Sequence, residues 1–185
     1  MQHISAMTME HGTWSTRSVH TTTMAEQQLT YTQIDGNSIG HGGSCNNGVA
    51  PIVPTPIMLQ QMKNDGVTKV GNPVQILTNQ PSDGPLVEAP TIAKVAGGRF
   101  MLLFSSGCYG DANYDTKYAL ASNIKGPYTR GGAPLWGTNS DNLYAPGGAD
   151  AAHAGTHVAF HAGQLGSRFM YTAILHINGG TVSAH

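Results

Sequence analysis

The sequence predicts an all-β protein built from antiparallel sheets, and three observations support this class. Short apolar or alternating runs follow one another along the chain and end in turn residues. The 185 residues include 24 glycines and 10 prolines, which suit plentiful loops. No segment long enough for a helix keeps apolar positions at helical spacing without a glycine or proline. Short strands joined by long loops are typical of a sandwich, a barrel or a propeller, and composition does not choose among them.

The predicted strands begin after a polar leader. Residues 1–30 are rich in Thr, Ser, His and Met and have neither helical nor alternating periodicity, so we expect weak order there. The strands that we predict beyond this leader are residues 31–34, 56–61, 74–77, 91–95, 100–105, 117–121, 156–161, 169–175 and 181–183. Glycine-containing turns such as Asp35-Gly36 and Asn178-Gly179 separate them. The hairpin between residues 91 and 105 is the clearest of these.

Charge and hydropathy exclude two classes of partner. The chain has 9 Lys and Arg against 10 Asp and Glu, a net charge of -1, and no basic cluster. It therefore lacks the positive surface that nucleic acid or an anionic membrane requires. The longest apolar run, residues 100–104, is far shorter than the roughly 20 residues of a membrane-spanning helix.

The two cysteines predict a disulfide. Cys45 and Cys108 lie in Gly- and Ser-rich segments without the C-x-x-C spacing of a zinc or redox site. Their bond would close a loop of about 60 residues and contribute roughly 4 kcal/mol in the chain-entropy model. A disulfide indicates an oxidising compartment, so we expect a secreted protein. Residues 1–30 lack the basic and apolar regions of a secretory signal, which has then been removed or precedes this segment.

Glu88 is the strongest candidate for chemistry from its local sequence. It is one of three glutamates and lies between Pro85 and Pro90 among apolar residues. Apolar surroundings disfavour the charged carboxylate, and this keeps a carboxyl group protonated as a general acid near neutral pH. The alternative is an ordinary surface glutamate at the end of a strand.

A series of motifs resembles glycoside hydrolase family 43. Val-Glu-Ala-Pro at 87–90 is followed by Arg-Phe-Met-Leu-Leu-Phe-Ser-Ser-Gly-Cys-Tyr at 99–109. The later pieces are Asn-Tyr-Asp at 113–115, Tyr-Ala at 118–119, Gly-Pro-Tyr at 126–128, Ala-Pro-Gly-Gly-Ala-Asp at 145–150, Phe-His-Ala at 160–162 and Arg-Phe-Met-Tyr at 168–171. Their order and spacing resemble that family from about residue 31 to residue 181.

The resemblance implies a β-propeller of the five-bladed type. At roughly 45–60 residues a blade, this chain holds about three blades, in a domain of residues 31–185 after a leader of residues 1–30 that does not match. Incomplete propellers expose blade faces and strand edges. We therefore expect another chain to cover them, self-association through them, or marginal stability.

The resemblance also implies an inverting glycosidase that acts on arabinan, arabinoxylan or xylan side chains, with Glu88 as proton donor. Such enzymes need a carboxylate base about 6.5–9.5 Å away. The family's base and a further pKa-tuning carboxylate are aspartates upstream of the donor, where the match fades. Asp35 has neighbours unlike either segment and receives neither role. The alternatives are a non-catalytic carbohydrate-binding module and a truncated remnant.

Several aromatic, histidine and arginine residues are candidates for sugar binding. Aromatic platforms and fixed hydrogen-bond donors hold sugars, so the candidate binding residues are His41, Tyr109, Tyr114, His161 and Arg168, with packing between blades as the alternative. The expected ligand is a poly- or oligosaccharide. No cofactor is expected for the chemistry and no metal ligand is assigned. The resemblance implies a structural calcium in some members, although Gly148 stands where several of them have a histidine.

Overall fold

The computed structural model describes residues 4–10, 13–22, 26–32, 45, 47, 52–152, 155–164 and 166–185. These residues form thirteen strands. The strands are β1 (Ile4–Glu10), β2 (Thr13–Thr22), β3 (Glu26–Thr32), β4 (Ile57–Met62), β5 (Lys69–Leu77), β6 (Val87–Lys94), β7 (Phe100–Ser106), β8 (Asp115–Ala121), β9 (Thr129–Arg130), β10 (Tyr144–Ala152), β11 (His157–Gln164), β12 (Ser167–Asn178) and β13 (Thr181–Ala184).

Short 3-10 turns occur at Pro81–Asp83, Ala96–Gly98 and Ser140–Asn142, and no α-helix occurs among the described residues. The predicted all-β class is therefore confirmed. None of the helices among these residues is long and apolar enough to cross a membrane.

The strands form three antiparallel sheets in simple chain order. The first sheet is β1 to β5, the second is β6 to β9 and the third is β10 to β13. Each sheet is a meander, the arrangement of a propeller blade, and the number of sheets agrees with the three blades expected from the sequence.

The second sheet lies between the other two and is buried on both faces. In β7, Leu102 and Phe104 join the apolar cluster shared with β4 and β5 of the first sheet. Met101 and Leu103 join the cluster that contains Phe160 of the third sheet. Alternate residues of a strand point to opposite faces, so two buried faces require an unbroken apolar run. This explains the apolar run at residues 100–104.

Two parts of the fold differ from the sequence-based expectation. No strand was predicted within residues 1–30, whereas β1, β2 and the greater part of β3 lie there, and β3 pairs with β4. The weak order expected for these residues stays a prediction. Main-chain pairing requires no apolar alternation, so periodicity could not find these strands. Residues 33–34 of the first predicted strand lie outside the described residues, and the domain boundary at residue 30 stays a prediction.

Strand β10 was also missed, for a different reason. Its sequence, Tyr-Ala-Pro-Gly-Gly-Ala-Asp-Ala-Ala, is dominated by small residues and looks like a turn. The strand lies against β6 and β7 in the interior, where Ala149 and Ala151 are buried. Small side chains permit this close approach between sheets.

A buried carboxylate ties the turn before β6 to the second sheet. The side chain of Asp83 is fully buried and forms ion pairs with Lys117 at 3.0 Å and with Arg130 at 2.8 Å. The main-chain carbonyl of Asp83 accepts a hydrogen bond from the Gly107 amide at 2.8 Å. The turn is thereby held against β8, β9 and the end of β7.

We expect Asp83→Asn to lower the free energy of unfolding by about 3 kcal/mol, because it leaves two partly buried cations without their carboxylate. Chemical denaturation would measure this change. Asp111→Asn, at an exposed aspartate, is the matched control and should have a much smaller effect. Equal stability of the two variants would contradict a structural role for the buried ion pairs.

The structure joins Cys45 and Cys108, 63 positions apart, in a disulfide with Cα atoms 5.3 Å apart. We expect reduction, or replacement of both cysteines by serine, to lower stability by about 4 kcal/mol in the chain-entropy model. Thermal unfolding with and without reductant would measure the loss. Two titratable thiols in protein purified without reductant would show that the bond does not form.

Candidate active site

Glu88 lies at a β-bulge at the start of β6. The register pairs Glu88 with Ser105 and Thr91 with Leu103, so two residues of β6 oppose one residue of β7. Within the bulge, Ala89 has φ of 49°, a left-handed conformation that is strained for a residue with a side chain. Bulges commonly occur next to active sites, where they redirect a side chain.

Tyr114 holds the Glu88 carboxyl group. The tyrosine hydroxyl donates a hydrogen bond of 2.7 Å to Oε1 of Glu88. Burial raises the pKa of Glu88 above its ordinary value, and the hydrogen bond from Tyr114 acts in the opposite, smaller direction. Burial also raises the pKa of Tyr114, and the charge of Glu88 adds to this effect, so the phenol remains a donor. A partly buried carboxyl group with a raised pKa is suited to proton donation.

Two consecutive glycines of β10 make room for the rings behind Glu88. A Cβ atom on Gly147 would lie 2.0 Å from the ring of Tyr114, and one on Gly148 would lie 2.5 Å from Nε2 of His161. The rings of Tyr114 and His161 stack with an interplanar angle of 13° and centroids 6.4 Å apart. The Gly-Gly pair is therefore a packing requirement of the site.

Arg168 fixes the orientation of His161. Its Nε donates to Nδ1 of His161 at 3.1 Å, and Nη2 also contacts Nδ1. Burial lowers the pKa of His161, and the positive charge of Arg168 lowers it further, so the imidazole is neutral at neutral pH. Since Nδ1 accepts from Arg168, the remaining proton of the neutral ring is on Nε2. His161 is thus a fixed neutral donor.

Tyr109 is the exposed member of the group. It is 60 % exposed and lies edge-on to Tyr114, with ring centroids 6.2 Å apart. The guanidinium of Arg168 lies over its ring at 4.9 Å, a cation–π contact. Because Tyr109 directly follows Cys108, the disulfide anchors the loop that presents it.

The structure brings together five of the six residues singled out by the sequence. Glu88, Tyr109, Tyr114, His161 and Arg168 form one connected group, although they come from three separate segments of the chain. Their roles in binding and catalysis stay predictions. His41 lies outside the described residues, as does Asp35.

Sequence reasoning missed other residues that shape the site. The hydroxyl of Ser105 accepts a hydrogen bond from the Gly148 amide at 2.8 Å, which links β7 to β10 beside Glu88. Tyr144 at the start of β10 is exposed beside the Tyr109 loop. The only sequence signal was their position in or next to the matched motifs.

An inverting glycosidase would need a second carboxylate near Glu88, and a structural metal would need a cluster of ligands. The hydroxyl of Tyr114 is the hydrogen-bond partner of the Glu88 carboxyl group. No cluster of three or more His, Cys, Asp or Glu side chains suited to a metal ion occurs in the same residues. Calcium prefers oxygen ligands, whereas His161 is bonded to the cationic Arg168, so these residues do not fit a calcium site.

The fold of this chain is similar to that of several solved structures. A thermostable family-43 glycoside hydrolase superposes with a TM-score of 0.72 and 20% sequence identity, over 95% of this chain and 59% of that chain. The chain has the fold of the family-43 glycoside hydrolases. The resemblance seen in the sequence motifs is thus confirmed at the level of the fold, as a partial propeller.

Two further structures with this fold come from Bacteroides thetaiotaomicron. An endo-1,4-β-xylanase has a TM-score of 0.69 at 19% identity, covering 92% of this chain and 58% of that one. An endo-arabinase has a TM-score of 0.61 at 14% identity, covering 95% and 75%. The chain therefore spans less than two thirds of the length of the first two structures. No protein-family model matches the sequence, and no curated protein matches it.

We expect Tyr114→Phe to raise the pKa of Glu88 further, because it removes the hydrogen bond that favours the carboxylate. Carbon NMR of glutamate-labelled protein would follow the titration, and with three glutamates in the chain the Glu88 signal is assigned by its loss in Glu88→Gln. Tyr128→Phe is the control, since that hydroxyl donates to the Ile124 carbonyl. An unchanged or lower pKa in Tyr114→Phe would contradict the contact.

Proposed function

We propose that this chain is the acid-bearing part of a secreted family-43 glycoside hydrolase that acts on plant cell-wall polysaccharide. The observation that supports this most directly is the partly buried Glu88 carboxyl with its raised pKa, bonded to Tyr114 at the centre of the predicted group. The fold supports the family, and the disulfide supports an oxidising compartment. The names of the similar structures suggest xylan and arabinan as candidate substrates.

In the proposed reaction, protonated Glu88 donates its proton to the glycosidic oxygen as the bond to the anomeric carbon breaks. Water attacks that carbon from the opposite face and loses a proton to a carboxylate base, which inverts the configuration. Tyr114 keeps the Glu88 carboxyl in place, and neutral His161 offers its Nε2 proton to a sugar hydroxyl. Arg168 maintains that orientation of His161.

The proposed reaction also needs a carboxylate base. No aspartate or glutamate of the described residues is assigned that role. The second candidate function is a carbohydrate-binding module without turnover, because the group bonded to Glu88 is the Tyr114 hydroxyl and not a second carboxylate. Both functions require sugar binding, but only the hydrolase would release new reducing ends. The release of reducing ends therefore distinguishes them.

We expect the 185-residue chain to hydrolyse linear arabinan, arabinoxylan or an aryl arabinofuranoside, and Glu88→Gln to reduce polysaccharide hydrolysis by roughly 100-fold or more. An aryl glycoside with a good leaving group needs little protonation and should lose less. Reducing-sugar and chromogenic assays would measure the two rates, with Asp111→Asn as the control.

The outcomes separate the hypotheses. If Glu88→Gln reduced the hydrolysis rates of the polysaccharide and the aryl glycoside equally, Glu88 would not be the general acid. Saturable sugar binding without turnover would favour the binding module.

In an active protein, the raised pKa of Glu88 should place the alkaline fall of kcat/KM above the ordinary range of a glutamate, because the protonated acid is lost as the pH passes that pKa.

A further inference from the structure

Two exposed tyrosines, Tyr109 and Tyr144, lie at the edge of the candidate site. Tyr144 has no part in the function proposed above. Tyr109, in the loop after β7, is 60 % exposed, and Tyr144, at the start of β10, is 45 % exposed. They come from different sheets, so their proximity is a property of the fold and not of local sequence.

The surroundings tie both tyrosines to one rim. The hydroxyl of Tyr144 donates to the carbonyl of Gly110, next to Tyr109, at 3.3 Å. Arg168 lies 4.9 Å from the ring centre of Tyr109 and donates to the carbonyl of Ala145, next to Tyr144, at 2.8 Å. Arg168, which also bonds His161, therefore contacts both the Tyr109 ring and the backbone next to Tyr144.

The ring of Tyr144 is supported by a residue that has no side chain. Tyr144 pairs with Gly163, and Gly163 pairs with Arg168, which places the three in one row across the third sheet. A Cβ atom on Gly163 would lie 3.2 Å from Cδ1 of Tyr144, closer than ordinary van der Waals contact. The ring thus packs directly on the Gly163 backbone while part of it faces solvent.

We propose that Tyr109 and Tyr144 form an aromatic rim that binds further sugar units of a linear oligosaccharide whose reacting unit lies at Glu88. The rim is continuous with the site, because Tyr109 contacts Tyr114 edge-on and Tyr114 bonds Glu88. Tyrosine combines an apolar ring face with a polar tip, and this suits the apolar faces and hydroxyl groups of sugar rings. The inference rests on the proposed function and narrows its ligand to a chain of several sugars.

The test compares ligand lengths by calorimetry in the Glu88→Gln background, where no turnover interferes. The probes are single-unit methyl glycosides and six-unit linear oligosaccharides of arabinose and of xylose. We expect a six-unit ligand to bind more tightly than its single-unit counterpart. Tyr144→Ala and Tyr144→Leu should each weaken the six-unit ligand by about 3- to 10-fold and leave the single unit unchanged.

Phe169→Ala is the matched control, because Phe169 is 50 % exposed and follows Arg168, so it points to the opposite face of β12. Its six-unit affinity should equal that of the parent. Two results would contradict the proposed rim. One is an unchanged affinity for the six-unit ligand in both folded Tyr144 variants. The other is a parent protein that binds the six-unit and single-unit ligands equally well. Hydrolysis of the aryl arabinofuranoside by the unmodified chain reports on the proposed function separately.

Discussion

The hydrogen bond between Tyr114 and Glu88 lies where the second sheet packs against the third. Glu88 starts the second sheet, while the Tyr114 ring occupies the space left by Gly147 of the third. A buried carboxyl group without a partner would be costly, so the bond keeps the Glu88 side chain in one orientation. His161 stacks on Tyr114 and is held in turn by Arg168, so this hydrogen bond and the contacts of Arg168 together position the group.

The same region concentrates features that do not favour folding. A partly buried carboxyl group and the left-handed backbone of Ala89 and Ala145 each cost stability. The apolar clusters on both faces of the second sheet and the buried Asp83 ion pairs lie next to this strained segment. Rigid packing on both sides allows the strained conformation to persist, as is common where function and stability compete.

Much of the fold could be predicted from periodicity. The predicted hairpin at 91–105 corresponds to β6 and β7, and the all-β class follows from short runs separated by turns. β10 could not be found in this way, because its small residues are selected by close packing between sheets and carry no alternation. β1 to β3 could not be predicted from periodicity either, because main-chain pairing requires no apolar pattern in the sequence. For the site, apolar neighbours and prolines already marked Glu88 as an unusual carboxyl group.

The sequence by itself determined the all-β class, the cysteine pair and the candidate acid, because each depends on local composition or on residue type. Tertiary structure alone decided that Tyr114, not a carboxylate, is the described group bonded to Glu88, and that His161 is held neutral by Arg168. It also decided that Tyr109 and Tyr144 share a rim. These relations join side chains from different strands and loops, and their distances follow from how the strands pair and the sheets pack, which no local pattern encodes.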